Sequence, residues 1–334
     1  MLDQRRVQPL LEYLVSELRN AQAERAPLEG KWKSWLDKYR AWPSDVPLEF
    51  PFPGAANIEL PIIATDVDTM VAALLGVLFS SKNLWSTTAL RPDMIEFATR
   101  AQEFLQWAQD AELKMYGVCT DWVLEIAKLG TGVLKQRYHR EQRRVWEWRE
   151  TPQGTFQQMA RRMLKNHPKV ERVAIEDFYV PSNHSDIQEA PWVAERVMLT
   201  WNQLISRVNS GLYTNVDRLG WHWRQQQAKE SFNSVTEWRQ QLDKYTPSLQ
   251  DKFQLFEFWL DYDIIGDSEP QFADTMRQIN RTALNRGEPQ SLVCTIHMET
   301  ETYTRIDFNP FFNQEKPYSA ARFMRQEGRF YGVG

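Results

Sequence analysis

The stretch from Phe50 to Ile62, FPFPGAANIELPI, most constrains what lies on either side of it. Pro51, Pro53 and Pro61 hold φ near about −65° and push the residues before them into extended backbone, while Pro53-Gly54 suits a type II turn with Gly54 at the positive-φ position. A helix does not run through such a segment. With Asn57 inside it, the segment reads as a stiff connector that separates helices at its N-terminal side from whatever begins at Pro61.

Before the connector, residues 4–40 carry two helical stripes. Leu10, Leu11, Leu14, Val15 and Leu18 form one, Trp32, Trp35, Leu36 and Tyr39 the other, and Pro27 with Gly30 is expected to separate them. After it, Thr65 and Asp68 have capping-box spacing, followed by Val67, Met70, Val71, Leu74, Leu75 and Leu78 at helical intervals to about Phe79. From Pro92 to Leu129 the apolar residues keep stepping by three or four. At about 1.5 Å per residue an unbroken helix would approach ~55 Å, so a strut, or a break near Gly117, is expected.

Gly130 and Gly132 end that pattern. Residues 133–150 alternate in part, as a strand or hairpin does, 153–166 have helical spacing, and 169–183 read as a further strand. Residues 190–199 are strand-like, Thr200 caps a short helix that Gly211 ends, 221–244 read as a helix, and 252–264 and 291–306 as strands. The final stretch, 309–334, reads as irregular. The expected fold class is α+β: long helices packed with a mixed or antiparallel sheet drawn from segments near 133–148, 170–180, 191–199, 252–264 and 291–306. Three stretches follow from this: 1–60 with the N-terminal helices and connector, 61–130 as a helical core, and 131–334 as an α+β portion.

Chemistry-bearing motifs are sparse. The five histidines are scattered singly, and Gly130-Thr131-Gly132 ends a helix where a dinucleotide fingerprint opens one. There is neither a phosphate loop nor a GxSxG elbow. Asp261, Asp263 and Gly266 match three positions of a calcium loop, but Ile265 and Phe272 stand where oxygen ligands belong, which favours an acidic hairpin turn. A hydrolase built on Asp261, Asp263 and Asp267 is the weakest reading. No catalytic, cofactor-binding or metal-ligating residue is expected. Cys119 and Cys294 show no CxxC pairing, and the longest apolar run, Met70 to Phe79, is short of the roughly 20 residues a bilayer span needs.

Charge is more informative. The chain carries a formal net charge of −4, which gives no global pull toward nucleic acid. It is nevertheless segregated: Lys135, Arg137, Arg140, Arg143 and Arg144 interleave with Tyr138, Trp146 and Trp148, whereas 243–274 is strongly acidic. Basic residues among aromatics suit phosphate contact with base stacking. The plainer reading is a strand whose Trp face packs inward and whose Arg face is solvated or meets an acidic neighbour in the same or another subunit.

The order of several segments resembles the portal proteins, or head-to-tail connectors, of tailed bacteriophages. They are WKSWLDKYRAW, FPFPGAANIELPI, DVDTMVAALLGVLF, EDFYVPSNHSDIQEAPWVAERVMLTWNQLI, FEFWLDYDIIGD and RIDFNPFFNQEKPY leading to GRFYGVG, spread over most of residues 32–334. The resemblance implies a non-enzymatic ring of usually twelve subunits at a capsid vertex. It also implies partners in the major capsid protein, the terminase and a head-tail adaptor, double-stranded DNA passing without sequence-specific binding, no membrane, and a place in the virion with assembly in the host cytoplasm. This sequence looks like the wing-containing body; the stem, clip and crown into which the family runs on from the segment corresponding to FYGVG are expected to be missing, since the chain stops at Gly334. The alternative is a nucleic-acid-binding or processing factor that uses the basic, Trp-rich segment 135–149.

Overall fold

The computed structural model describes residues 4–41, 52, 60–81, 84–151, 154–217, 219, 252–263 and 289–334. Its first element, α1 (Gln4–Arg40), is one continuous helix of 37 residues with Pro9 and Pro27 inside it. Pro27 was expected to end it, because an interior proline removes a donor and costs about 3 kcal/mol. Packing on both sides overrides that cost: Leu10, Leu11, Leu14 and Leu18 are buried before Pro27, and Trp32 and Leu36 after it.

The second unit is helical. In α2 (Ile62–Leu78) the N-cap is Pro61, and the Thr65 hydroxyl donates to the Pro61 carbonyl at 3.1 Å from within the first turn, so the expected capping box at Thr65 and Asp68 does not form. The helix starts one turn earlier, where proline's fixed φ ends the extended backbone. A 3-10 turn (Pro92–Met94) leads into α3 (Ile95–Trp107) and a π turn (Ala108–Glu112); then α4 (Met115–Leu129) begins. The break expected near Gly117 falls at Leu113 and Lys114: Leu113 N–H donates to the Ala108 carbonyl at 2.8 Å, and Lys114 has φ 48°. Val71 and Leu75 of α2 pack on Met115, Cys119, Val123 and Ala127 of α4. Two glutamines bind the segment between α2 and α3, Gln109 accepting from Leu84 N–H at 3.0 Å and Gln102 from Thr87 N–H at 2.7 Å.

Two strands follow, β1 (Thr131–Thr151) and β2 (Gly154–Val173), paired antiparallel along their whole length. Residues 153–166 are therefore not the helix their spacing suggested. Next come β3 (Phe178–Tyr179), β4 (Trp192–Thr200), α5 (Trp201–Asn209), β5 (Lys252–Tyr262), β6 (Gln290–His297), β7 (Thr302–Phe308) and β8 (Tyr318–Arg322). Thr200 caps α5 in a full capping box with Gln203, and Gly211 follows it at φ 78°, both as its sequence indicates. Two antiparallel sheets replace the single one expected, ordered β2-β1-β8 and β3-β4-β5-β6-β7. The first includes a strand, β8, in a stretch read as irregular. The fold class is α+β. The expected helix 221–244 lies outside the described residues.

The five-stranded sheet is covered on both faces. Phe256, Phe258, Leu260, Trp192 and Cys294 lie under the first half of α1, and Trp259, Val193 and Val293 turn to the opposite side, where Val133, Tyr318 and Phe178 meet them. Alternation along β5 produces this division, since successive side chains point to opposite faces. A smaller cluster joins Leu204 of α5 to Phe253 and Leu255.

At the α4–β1 corner Gly130 has φ 79° and caps α4 by donating to the Ile126 carbonyl at 2.8 Å. A Cβ there would lie 2.4 Å from the Val333 backbone carbon, because residues 331–334 cross this corner. Gly130→Ala is expected to destabilise the fold by at least about 2 kcal/mol, from left-handed strain plus displacement of that crossing. Gly30 is a helical position with open space around it. There the same change should stabilise by about 0.5–1 kcal/mol. Urea unfolding of the two variants reads both signs, and equal shifts would refute the corner's role.

Candidate functional site

The most distinctive surface is the outer part of the β1–β2 hairpin. The third strand of that sheet, β8, pairs with Thr131–Lys135, so among the described residues the ribbon has two strands from Gln136 outward. With about 3.3 Å per residue it extends ~50 Å as an arm. Isolated two-stranded ribbons are marginal in water, so an arm of this kind calls for a partner surface.

The arm has two unlike faces. On β1, even-numbered residues share one face, and residues directly opposite on β2 join them. Trp146 pairs with Met159 and Gln142 with Met163, and the bulge beside Glu141 and Gln142 leaves the alternation along β1 intact. This face gathers Tyr138, Trp146, Trp148, Met159 and Met163, all exposed, with Trp146 at 64% and Trp148 at 69%. The expectation that the Trp face packs inward is overturned within the chain: no third strand or helix lies against it among the described residues. The other face is polar. Arg137 and Lys169 both bind Glu171, each at 2.7 Å, and the His139 and His167 rings lie 5.7 Å apart. His167 also pairs with Glu112 at 3.3 Å, which with buried contacts of Val170 roots the arm on the helical unit.

Arg140 is exposed, while the register sets Arg143 opposite Arg162 and Arg144 opposite Arg161. Lys135, grouped with these arginines by sequence, does something else. It is buried and donates to Glu195 at 2.5 Å and Glu257 at 2.8 Å, tying β1 to β4 and β5. Burial opposes ionisation of Glu257, but Lys135, together with hydrogen bonds from Lys135 and Trp259, outweighs it and holds this carboxyl at about 2. Glu195 is pushed up, by burial first and then by the charge of Glu257, against the pull of Lys135.

Of the connector residues, Pro61 is the N-cap of α2; Pro51, Pro53, Gly54 and Asn57 lie outside the described residues. Asp261 accepts from Lys316 at 2.9 Å, and the acidic turn beyond Asp263, including Asp267, is outside them too. Among the described residues no group of three or more His, Cys, Asp or Glu is placed to hold a metal ion, and no helix is long and apolar enough to cross a membrane. Cys119 and Cys294 are buried and free.

A second unusual surface was not singled out from sequence. The helix α2 buries only Val71 and Leu75, leaving Ile63, Leu74, Val77 and Leu78 exposed. A helix apolar nearly all round is ordinarily buried. Its strong apolar character was visible in the sequence; which stripe stayed bare was not, because that depends on where α4 packs.

Comparison with known families bears on the arm and the five-stranded sheet together. Residues 147–277 match the family model of the phage SU10 portal protein. This supports a phage portal protein with a structural role. The portal match covers less than half of the chain, running from the outer arm through β2, β3, β4, α5 and β5. It contains two of the segments on which the resemblance rested, EDFYVPSNHSDIQEAPWVAERVMLTWNQLI and FEFWLDYDIIGD. Portal proteins belong to the capsid vertex of the virion and, as a family, form ring oligomers associated with capsid and terminase. Among curated proteins, no match to the chain was found.

Proposed function

We propose that the chain is a structural, non-enzymatic subunit of a phage portal ring. The ring is the passage for DNA into and out of the capsid, connects head to tail, and is where the terminase docks during packaging. The observation that carries this reading is the portal-family match over residues 147–277. Two further features support it. The net charge of −4 avoids strong retention of DNA, since each neutralised phosphate adds to binding. The aromatic arm and the α2 face are exposed among the described residues. Twelve copies, the usual number in the family, a capsid-protein contact and a head-tail adaptor belong to the same proposal.

Negative-stain microscopy of the purified protein at high concentration should show rings with a central hole. Persistent monomers in size-exclusion chromatography with light scattering would refute the reading.

The arm favours one second reading, nucleic-acid binding through Arg140 and its neighbours with stacking on Trp146 and Trp148. It predicts affinity for DNA that drops steeply with salt and is lost when Arg137, Arg140, Arg143 and Arg144 become Ala. Lys135 has no part in it, since its ammonium is enclosed by two carboxylates. Absence of binding at low salt removes this reading.

A further inference from the structure

We propose that the Trp146/Trp148 face of the arm in one copy seats on the bare face of α2 in the next copy, and that this head-to-tail contact closes the ring. The inference rests on the ring reading above and says where its subunits join.

A closed ring needs a heterologous interface, in which two different patches of the same chain meet. The structure offers two different patches, each exposed among the described residues. One is the ribbon face of Trp146, Trp148 and Met159. The other is Ile63, Leu74, Val77 and Leu78 of α2, which at 100° per residue fall within an arc of about 100° beside the buried Val71 and Leu75. The outer end of the ribbon face is apolar at Trp146, Trp148 and Met159, with Arg140 farther in on the same face, and a helix stripe and a flat ribbon face can lie along one another.

Charge selects this pairing over arm against arm. Residues 136–168 hold eight Lys or Arg against three Glu, whereas residues 60–113 hold seven Asp or Glu against three Lys or Arg. Two arms brought together would repel. An arm laid on the acidic helical unit gains attraction.

The test uses two variants of the full chain, each altered only at exposed positions. The arm variant carries Trp146→Ser and Trp148→Ser, and the face variant carries Leu74→Glu and Val77→Glu. The wild type is expected to form rings, and each variant alone to run at the mass of one chain with an unchanged circular dichroism spectrum. Mixed in equal amounts, they should form heterodimers and nothing larger, because the intact arm of the face variant meets the intact α2 of the arm variant once per pair. That outcome also shows both variants to be folded. Rings from either variant alone, or a mixture that stays monomeric, overturn this inference and leave the ring reading standing. A wild type that never assembles overturns both. An arm variant that still forms rings but loses affinity for a DNA duplex assigns the arm to nucleic acid instead.

Discussion

Lys135→Met is expected to lower the stability of the fold by about 3–5 kcal/mol, the cost of removing one member of a buried ionic cluster. Its ammonium reaches Glu195 and Glu257, which are further bound by Tyr318 O–H at 2.7 Å and by Trp259 N–H at 3.0 Å. Without the lysine two buried carboxylates face one another. Combining Lys135→Met with Glu195→Gln and Glu257→Gln removes that repulsion, and should recover more than half of the loss, since a neutral hydrogen-bonded group costs far less to bury than an unpaired charge.

The pH dependence carries a definite sign. Glu257, held at about 2 in the folded protein, contributes stability that is complete above the unfolded carboxyl value of 4.5 and is lost as pH falls from there through about 2. Glu195, pushed upward, works in the opposite direction and takes the first proton. In the Lys135→Met protein the depression is gone, so acidification from pH 7 toward 4.5 should raise stability relative to wild type. Urea midpoints at pH 7 and 5 measure both effects; a variant with an unchanged midpoint at pH 7 would show the cluster to be energetically idle.

Arg25→Leu is the second large effect, also about 3–5 kcal/mol. The guanidinium is buried and donates to the carbonyls of Phe178 and Glu176, both at 2.8 Å, and to Glu29, with the Tyr179 ring 3.7 Å away. These carbonyls close the 3-10 turn Ile175–Asp177 at the point where the chain passes from the arm into the five-stranded sheet. Leucine keeps much of the volume but removes the guanidinium donors from both carbonyls, leaving Phe178 the Tyr331 O–H at 2.9 Å. Arg25→Lys should rescue less than half of the loss, because a single ammonium does not reproduce the planar fork. Thermal unfolding gives the magnitude, and hydrogen exchange should quicken first in residues 175–180. Full rescue by lysine would contradict the fork geometry.

Local signals in the sequence were reliable where local forces decide. Thr200 with Gln203, Gly211 and the alternating β5 segment each declare their conformation within a few residues, and the structure follows them. The second half of the hairpin shows the opposite case. Gln157, Gln158, Met159, Ala160, Arg161 and Arg162 all favour helix intrinsically, yet pairing with β1 makes them a strand. A ladder partner nine to nineteen residues back outweighs a preference of a few tenths of a kcal/mol per residue. Pro27 is overruled in the same way by the burial of Trp32. Arg25 and Lys135 were illegible for a different reason. Apart from Glu29, four residues from Arg25, their partners lie from 60 to 153 residues away, and nothing in RNAQAERAPLEG or VLKQRYH marks those cations as internal. For the candidate surface, the basic and aromatic content of the arm was legible, but the exposure of Trp146 and Trp148 was not, because it follows from β8 stopping at Lys135.

The unbroken course of α1 makes it a keeper of phase between two parts of the molecule. Leu18 packs in the cluster above the five-stranded sheet and Leu36 in the cluster beneath it. They are eighteen residues apart, five whole turns of an α-helix, so one stripe serves both. Deleting a single residue between Ala21 and Trp32 would turn one end against the other by about 100° and shorten the span by about 1.5 Å. The two clusters could not then be filled together, and the length of that segment is fixed as firmly as any side chain in it.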